Sequence, residues 1–390
     1  HKKYLVQFIM EKFIDIYNRE SEKNSARISY FVKQIFVPIT FLSGGVPHHV
    51  QSEEEYCTLV DMWIHDPEGI VNSLLSGLTE EEFLLMKNIS SKVWNLTKNM
   101  NYQAAPKTGL LRQIYQRRLI NNFFPNAKNI LEVGPGSGYL SLMLGMDEKK
   151  VFSMDVTQCF YVWQNYLFQS FNILHESVNE SNDNIKAKEK NIFHVPWWDF
   201  IEFNKVCSSL SLITVNHALC EMTNQSVRHL LTIALKCGKP SFLMESYGSF
   251  KYSHKRSDIA PLFREFGYKE TYNKDDIHIF EYDDALINFN RSNYFNIILY
   301  LPFLRKFIRF LRSETSLSIQ ILKIIKSIFN RSSDLKTENK YNYKDVLKYY
   351  KDLTGSENYR TPCEEFYEDI CDPKIKGYKQ SLAYAKFDDN

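Results

Sequence analysis

The sequence predicts an α/β fold: an open, mostly parallel sheet interleaved with helices, with further helical regions before and after it. Three observations carry this. Between Asn129 and Asp155 a short apolar run turns through glycines into a helix, then returns as a second strand that ends in an acid. From there to Tyr282, apolar runs of strand length alternate with runs of helix length. On either side, apolar residues recur with helical spacing instead. The 390 residues exceed one compact core at usual domain sizes. They divide into a helical region over 1–100, the α/β domain over 101–285 and a second helical region over 286–390.

Composition places the chain among globular proteins, with 44% hydrophobic and 24% charged residues. With 14 glycines and 12 prolines, most of it should be regular structure. The seven cysteines (57, 159, 207, 220, 237, 363 and 371) are scattered and form no C-x-x-C pair. They read as reduced thiols of a cytoplasmic protein, not as a disulfide frame or zinc site. No apolar run reaches the ~18 residues that a membrane-spanning helix needs. No leader is visible, and a chain that opens on His1 reads as lacking its native start.

Taken in order, Leu5, Ile9, Phe13 and Ile16 share one face of an amphipathic helix over 4–17. Gly44, Gly45 and Pro47 break the chain. Ser52 with Glu55, and Thr79 with Glu82, are capping boxes that should start helices over 53–64 and 80–98, with Asp66-Pro67 closing the first. His48 and His49 have no acid or cysteine at metal spacing. After a turn at Pro106, a helix over 109–119 carries Arg112, Arg117 and Arg118.

Ile130 to Val133 then has the length and apolarity of a buried strand. Gly134, Gly136 and Gly138 follow at once, a helix covers 140–146, and a strand over 151–154 leads into Asp155. Glycine suits close backbone approach to a ligand and positive φ. The helix start offers open N–H groups. An acid at the tip of the second strand can accept the ribose hydroxyls of a nucleoside. The dinucleotide fingerprint is G-x-G-x-x-G. Here the third glycine comes one residue early, Glu132 precedes the first glycine by two, and Asp155 lies 17 residues beyond Gly138. This pattern resembles motif I of the S-adenosylmethionine (SAM) methyltransferases, whose cofactor has no pyrophosphate to cradle. The resemblance implies a Rossmann-like class I sheet and S-adenosyl-L-methionine as cofactor, held by Glu132, Gly134, Gly136, Gly138 and Asp155. In many of these enzymes the segment before motif I closes over the cofactor, which makes Tyr102 and Arg112 candidates for its carboxylate. A solvated helix face with structural arginines is the favoured alternative.

A helix over 157–171 carries Tyr161, Trp163, Tyr166 and Phe168 and should pack on the sheet. The polar run 176–190 reads as a surface loop. A strand over 191–195 leads into Pro196-Trp197-Trp198-Asp199. In the methyltransferase arrangement this place lies beside the adenine, where Trp197 would stack and Asp199 would accept from the exocyclic amine. Equally, the two indoles can fill the groove between strand and helix. The next strand, 210–215, ends in Asn216-His217, with Glu221 four residues on. Ligands of open α/β sheets sit at such carboxyl ends. A hydroxyl attacks a sulfonium poorly unless a base removes its proton, and histidine suits that work near neutral pH. His217 is therefore the candidate base, Glu221 its candidate orienting acid, and Asn216 a cofactor contact; a structural histidine is the alternative. A helix over 224–236 stops at Gly238 and Pro240. A strand over 241–244 delivers Glu245 and Tyr247, and the polar run 251–258 contains His254. These three are candidates for the acceptor site. A helix over 259–266 and two strands, 268–272 and 277–282, complete the unit with the antiparallel ending that a class I methyltransferase shows.

Residues 291–331 hold eight Lys or Arg and a single acid, Glu314. Arg305, Arg309 and Arg312 lie opposite Phe303, Leu304, Phe307, Ile308 and Leu311. This basic amphipathic helix suits peripheral contact with an anionic membrane through 297–329; a helix packed on the domain with a solvated basic side is the favoured alternative. A short helix should cover 345–353 before Thr354-Gly355.

The fragments His194-Val-Pro-Trp-Trp198 and Asn216-His-Ala-Leu-Cys-Glu-Met222 resemble the sugar O-methyltransferases encoded with bacterial surface polysaccharides. That resemblance implies methylation of a sugar hydroxyl on a nucleotide-linked, lipid-linked or polymeric glycan. Metal-dependent members place an acid near the fourth strand end; here Asn216 and His217 stand there, which argues for a reaction without metal. The alternatives are an RNA or small-molecule methyltransferase, or a methyltransferase-like scaffold without catalysis. RNA is disfavoured because the basic residues gather in one tail, away from the candidate site.

Overall fold

The computed structural model describes residues 2–24, 49, 53–61, 66–98, 103–172, 175–177, 191–219, 222, 224–245, 256–284, 286 and 340–361. Tyr102, His48, Glu221, Tyr247, His254, the glycine break at 44–45 and the basic region 291–331 lie outside the described residues.

The sheet has eight strands: β1 (Asn129–Val133), β2 (Lys150–Met154), β3 (His175–Ser177), β4 (Ile192–Val195), β5 (Leu212–Val215), β6 (Ser241–Glu245), β7 (Tyr268–Lys274) and β8 (Ile277–Tyr282). Their order is β3-β4-β2-β1-β5-β6-β8-β7. Neighbours run parallel as far as β6, and β8 then pairs antiparallel with both β6 and β7. This is a Rossmann-like open α/β sheet, closed by an antiparallel pair. Asp275 and Asp276 make the hairpin turn with φ of 53° and 62°, the left-handed pair that a tight two-residue turn requires. The strand order reverses between β1 and β5, so the crevice for a ligand opens at the carboxyl ends of these two strands.

The helices are α1 (Lys2–Lys23), α2 (Glu53–Leu59), α3 (Pro67–Gly69), α4 (Glu80–Thr97), α5 (Thr108–Phe123), α6 (Tyr139–Met146), α7 (Gln158–Ser170), α8 (Trp197–Phe200), α9 (Phe203–Val206), α10 (Asn224–Lys236), α11 (Arg256–Glu265) and α12 (Tyr343–Thr354). Side chains of α6 and α7 meet one face of the sheet, through Ser141 with Glu132 and Gln164 with Ser153. On the other face Phe203 of α9 packs on Phe152, and Phe263 of α11 on Phe242. The flanking regions share this core. Tyr17 of α1 is buried against Tyr161 and Trp198, and its hydroxyl donates to the Val156 carbonyl at 2.7 Å. Tyr341 stacks on Phe83 of α4, and Tyr350 of α12 bonds to Ser90 at 2.9 Å. Asp61 accepts from the N–H groups of Lys107 and Gly109 at 2.6 and 2.7 Å, a buried cap for α5 supplied from far along the chain.

The capping box at Thr79 and Glu82 forms as read, with both reciprocal bonds. Two readings are corrected. Asp66-Pro67 does not close a helix but opens one: the Asp66 carboxylate accepts from the Gly69 N–H at 2.8 Å, and proline at N1 continues into a π-helical turn over Ile70–Leu74. The polar run after His175 does not begin as loop. Glu176 and Ser177 extend β3, because an edge strand needs only main-chain pairing with Phe193 and His194. Helix bounds elsewhere move further than strand bounds: the helix expected over 53–64 ends at Leu59, and α5 runs on to Phe123. α11 starts at Arg256 and carries Pro261 inside it, α12 starts at Tyr343 and stops at Gly355, whose φ is 76°, and α1 runs on to Lys23.

Candidate functional site

The site is built on strands of one pattern. The apolar-apolar-polar-apolar runs Ile130-Leu-Glu132-Val, Val151-Phe-Ser153-Met, Ile192-Phe-His194-Val and Leu212-Ile-Thr214-Val lie in register, so His194, Ser153, Glu132 and Thr214 form a polar row across the sheet. All four are buried. Buried polar groups cost free energy unless they are bonded, and each of these is. Ser141 donates to Glu132, Ser153 and His194 bond to Gln164, and Asn216 donates to Thr214 at 3.0 Å.

Above this row lies the glycine loop. Gly134, Gly136 and Gly138 have φ of 71°, 56° and 81°. Gly134 is also where two strand ends meet: a Cβ built there would stand 2.6 Å from the Ala218 Cβ. Helix α7 holds the loop from behind, with Trp163 donating to the Ser137 carbonyl at 3.1 Å and Gln164 to the Gly136 carbonyl at 2.7 Å. At the start of α6, two of the amides that the sequence offers as open are taken. Gln113 accepts from the Leu140 N–H at 2.6 Å, and Glu132 takes the Ser141 hydroxyl and N–H. Those donors are filled by protein groups, which suits a nucleoside without pyrophosphate and argues against a phosphate clamp.

Asp155 stands at the tip of β2 beside the loop. Its Oδ1 accepts from Val156 N–H at 2.7 Å and its Oδ2 from Gln164 at 3.4 Å. Burial pushes its carboxyl up to about 7, against the hydrogen bonds that favour the charge. Burial likewise takes Glu132 to about 7. Trp197, Trp198 and Asp199 are buried in α8, and Trp198 sits edge-on to Tyr17 and Trp197. The indoles therefore fill the groove below α1. A stacking face on Trp197 would require a local shift.

Across the seam, Asn216 joins β5 to β6 beyond their ladder: its Oδ1 accepts from Glu245 N–H at 3.0 Å while its Nδ2 bonds to Thr214. Both ends of that side chain are thus engaged within the sheet. His217 follows with φ of 60°, a left-handed conformation uncommon for a residue other than glycine. Its Nε2 lies 3.8 Å from Oε2 of Glu245. Glu245, buried at the end of β6, also receives Arg112 Nη2 at 2.6 Å and Gln116 Nε2 at 2.7 Å. Burial would raise its carboxyl, but His217, Arg112 and Gln116 outweigh it and hold Glu245 below the usual carboxylate range. Arg112 thus faces the site, whereas Arg117 and Arg118 bind Asp147 and Glu82. Sequence reasoning missed Gln113, Gln116 and Gln164. The spacing of α5 gives no hint of Gln113 and Gln116, but the repeated polar third position of the strands announces a buried layer that needs a partner such as Gln164 of α7. Among the described residues, no three His, Cys, Asp or Glu side chains gather closely enough to hold a metal ion, and no helix is long and apolar enough to cross a membrane.

No protein-family model matches the chain, and no curated protein matches it. Among solved structures it is similar to a TehB-like SAM-dependent methyltransferase from Corynebacterium glutamicum, with 12% identity over 43% of this chain and 87% of that one and a TM-score of 0.33. It is also similar to the Podospora anserina methyltransferase PaMTH1 bound to SAH, with 10% identity over 53% and 90% and a TM-score of 0.32. A third is the magnesium protoporphyrin IX methyltransferase of Synechocystis bound to SAM, with 11% identity over 52% and 98% and a TM-score of 0.30. At that level of similarity these likenesses add nothing to the strand order and loop geometry above.

Proposed function

We propose that this protein is a SAM-dependent O-methyltransferase that methylates a sugar hydroxyl of a bacterial surface glycan. The observation that carries the methyl-transfer reading is the juxtaposition at the strand-order reversal. The glycine loop and Asp155 stand on one side of Gly134, and the His217–Glu245 pair stands on the other. Asp155 would accept from the ribose hydroxyls, and the loop would allow the nucleoside close approach. Bound there, S-adenosylmethionine would supply an electrophilic methyl group. With Nε2 of His217 turned to Glu245, Nδ1 is the nitrogen that would take the acceptor hydroxyl's proton. Glu245 then stabilises the imidazolium, and Arg112 and Gln116 keep Glu245 ionised and in place. Positioning and proton removal are the two contributions asked of the chain. The sugar acceptor rests on the fragments His194 to Trp198 and Asn216 to Met222 and on a base suited to an uncharged hydroxyl.

The test begins with calorimetric titration of SAM into the protein and into Asp155→Ala. Saturable binding that the variant loses is the expected result, followed by methyl transfer to nucleotide- or lipid-linked sugars. Absence of binding to the folded protein overturns the cofactor reading. Binding with methyl transfer to RNA or a non-sugar hydroxyl overturns the acceptor.

A further inference from the structure

The amide of Gln164 is fully buried, and its neighbours fix its orientation. One end lies 2.7 Å from the Gly136 carbonyl, which can only accept, so that end is Nε2. The other end, Oε1, must accept, and it faces His194 Nε2 at 2.7 Å and Ser153 Oγ at 3.4 Å. His194 therefore carries a proton on Nε2. The second N–H of Gln164 is aimed at Oδ2 of Asp155, while Oδ1 is tied to Val156 N–H. His194 is itself buried in β4, with its ring edge-on to Tyr161 at 4.9 Å.

We infer that Gln164, oriented by the Gly136 carbonyl and held from its other end by His194, is a positioning residue that sets the Asp155 carboxylate and the Gly136 loop in a fixed relation for recognition of the ribose hydroxyls. The inference rests on the cofactor reading above and deepens it. A side chain that merely filled this space would be cheaper apolar, since four polar groups are desolvated to build the network. What the network gains is geometry: Gln164 donates at once to the loop and to the acid, so neither can shift without the other. Because Gln164 reaches the ligand through Asp155, its removal should damage ribose recognition specifically and not every cofactor contact.

The experiment measures affinity for S-adenosylhomocysteine and for its 2′,3′-dideoxy analogue, which lacks both ribose hydroxyls. The natural protein should prefer the complete nucleoside by about tenfold or more, the range for hydrogen bonds to a charged group. In Gln164→Ala and His194→Leu that preference should collapse, with the analogue binding nearly unchanged. His194→Gln, whose amide can donate the same bond, should restore it, and this pair decides the matter if Gln164→Ala does not fold. Equal weakening of both ligands, or an unchanged preference, overturns the inference. If the natural protein binds neither ligand, the cofactor reading itself has failed, a distinct result.

Discussion

The two sides of the seam at Gly134 hold their carboxylates in opposite ways. On the β1–β2 side, Glu132 and Asp155 are met by hydroxyl, amide and backbone N–H donors, and burial lifts both to about 7. On the β5–β6 side, Glu245 is equally buried but meets Arg112 and His217, and it is held below the usual range. The first arrangement suits neutral hydroxyl donors from a ligand, which would add bonds to Asp155 without meeting a competing cation. The second sets a buried, ionised carboxylate 3.8 Å from His217 Nε2, the arrangement that the proposed proton transfer would use. One sheet thus presents an acceptor-poised wall and a charge-settled wall a few residues apart.

The largest break in this comparison should come from His217→Asn. Asparagine tolerates the left-handed backbone, so the turn should survive while the base is lost. Turnover with a confirmed acceptor should fall by about 10²–10⁴-fold, with cofactor affinity little changed. Intact turnover would leave His217 a structural residue. Next, Glu245→Ala strips Arg112, Gln116 and His217 of their shared partner. Breaking a buried ion pair costs about 3–5 kcal/mol, and the partial exposure of Arg112 places the loss near the lower end, about 3 kcal/mol by urea denaturation. A loss below about 1 kcal/mol, typical of a surface ion pair, would show that the charge wall is solvated. Third, Gly134→Ala acts on the seam itself. Left-handed strain costs about 1–3 kcal/mol, and the 2.6 Å approach to Ala218 adds to it. Ala218→Gly in the same chain should recover the contact part and leave the strain, a coupling that a double-mutant cycle would read.

The two walls were not equally legible. The glycine loop, Glu132 and Asp155 lie within 27 residues of sequence, and their chemistry follows from local turn geometry, so the sequence alone placed them. The strand-end place of His217 is legible for a similar reason. The sequence offers Glu221, within one helical turn and outside the described residues, as its acid; among the described residues the carboxylate beside it is Glu245, delivered by the next strand through parallel pairing. Arg112 and Gln116 reach Glu245 from more than 120 residues away, a contact that only the packing of α5 across the sheet end creates. The same limit hid Asp61, which caps α5 from a region that reads as an independent helical segment. Period and spacing report what a residue's own element does. They are silent on which element will lie opposite.

The smallest effect concerns pH, and it distinguishes the walls most directly. A carboxyl raised to about 7 in the fold binds its proton more tightly there than in the unfolded chain. Its contribution to stability is therefore full below the ordinary carboxylate range and is lost as pH climbs toward and through 7. For Asp155 this amounts to about 1 kcal/mol between pH 6 and 8. Asp155→Asn should remove that share of the slope in the window and leave the share that Glu132, also raised to about 7, contributes. Glu245 runs the other way: its lowered value contributes stability above the ordinary carboxylate range, and that contribution is lost only in more acid solution. Nucleoside binding should follow the first wall, since ribose hydroxyls favour the ionised Asp155. Affinity for S-adenosylhomocysteine should tighten by up to about tenfold from pH 6 to 8 and then level off, with the trend absent in Asp155→Asn. A pH-independent affinity in the natural protein would mean that Asp155 is already ionised at pH 6, and the contrast between the two walls would reduce to one of partners alone.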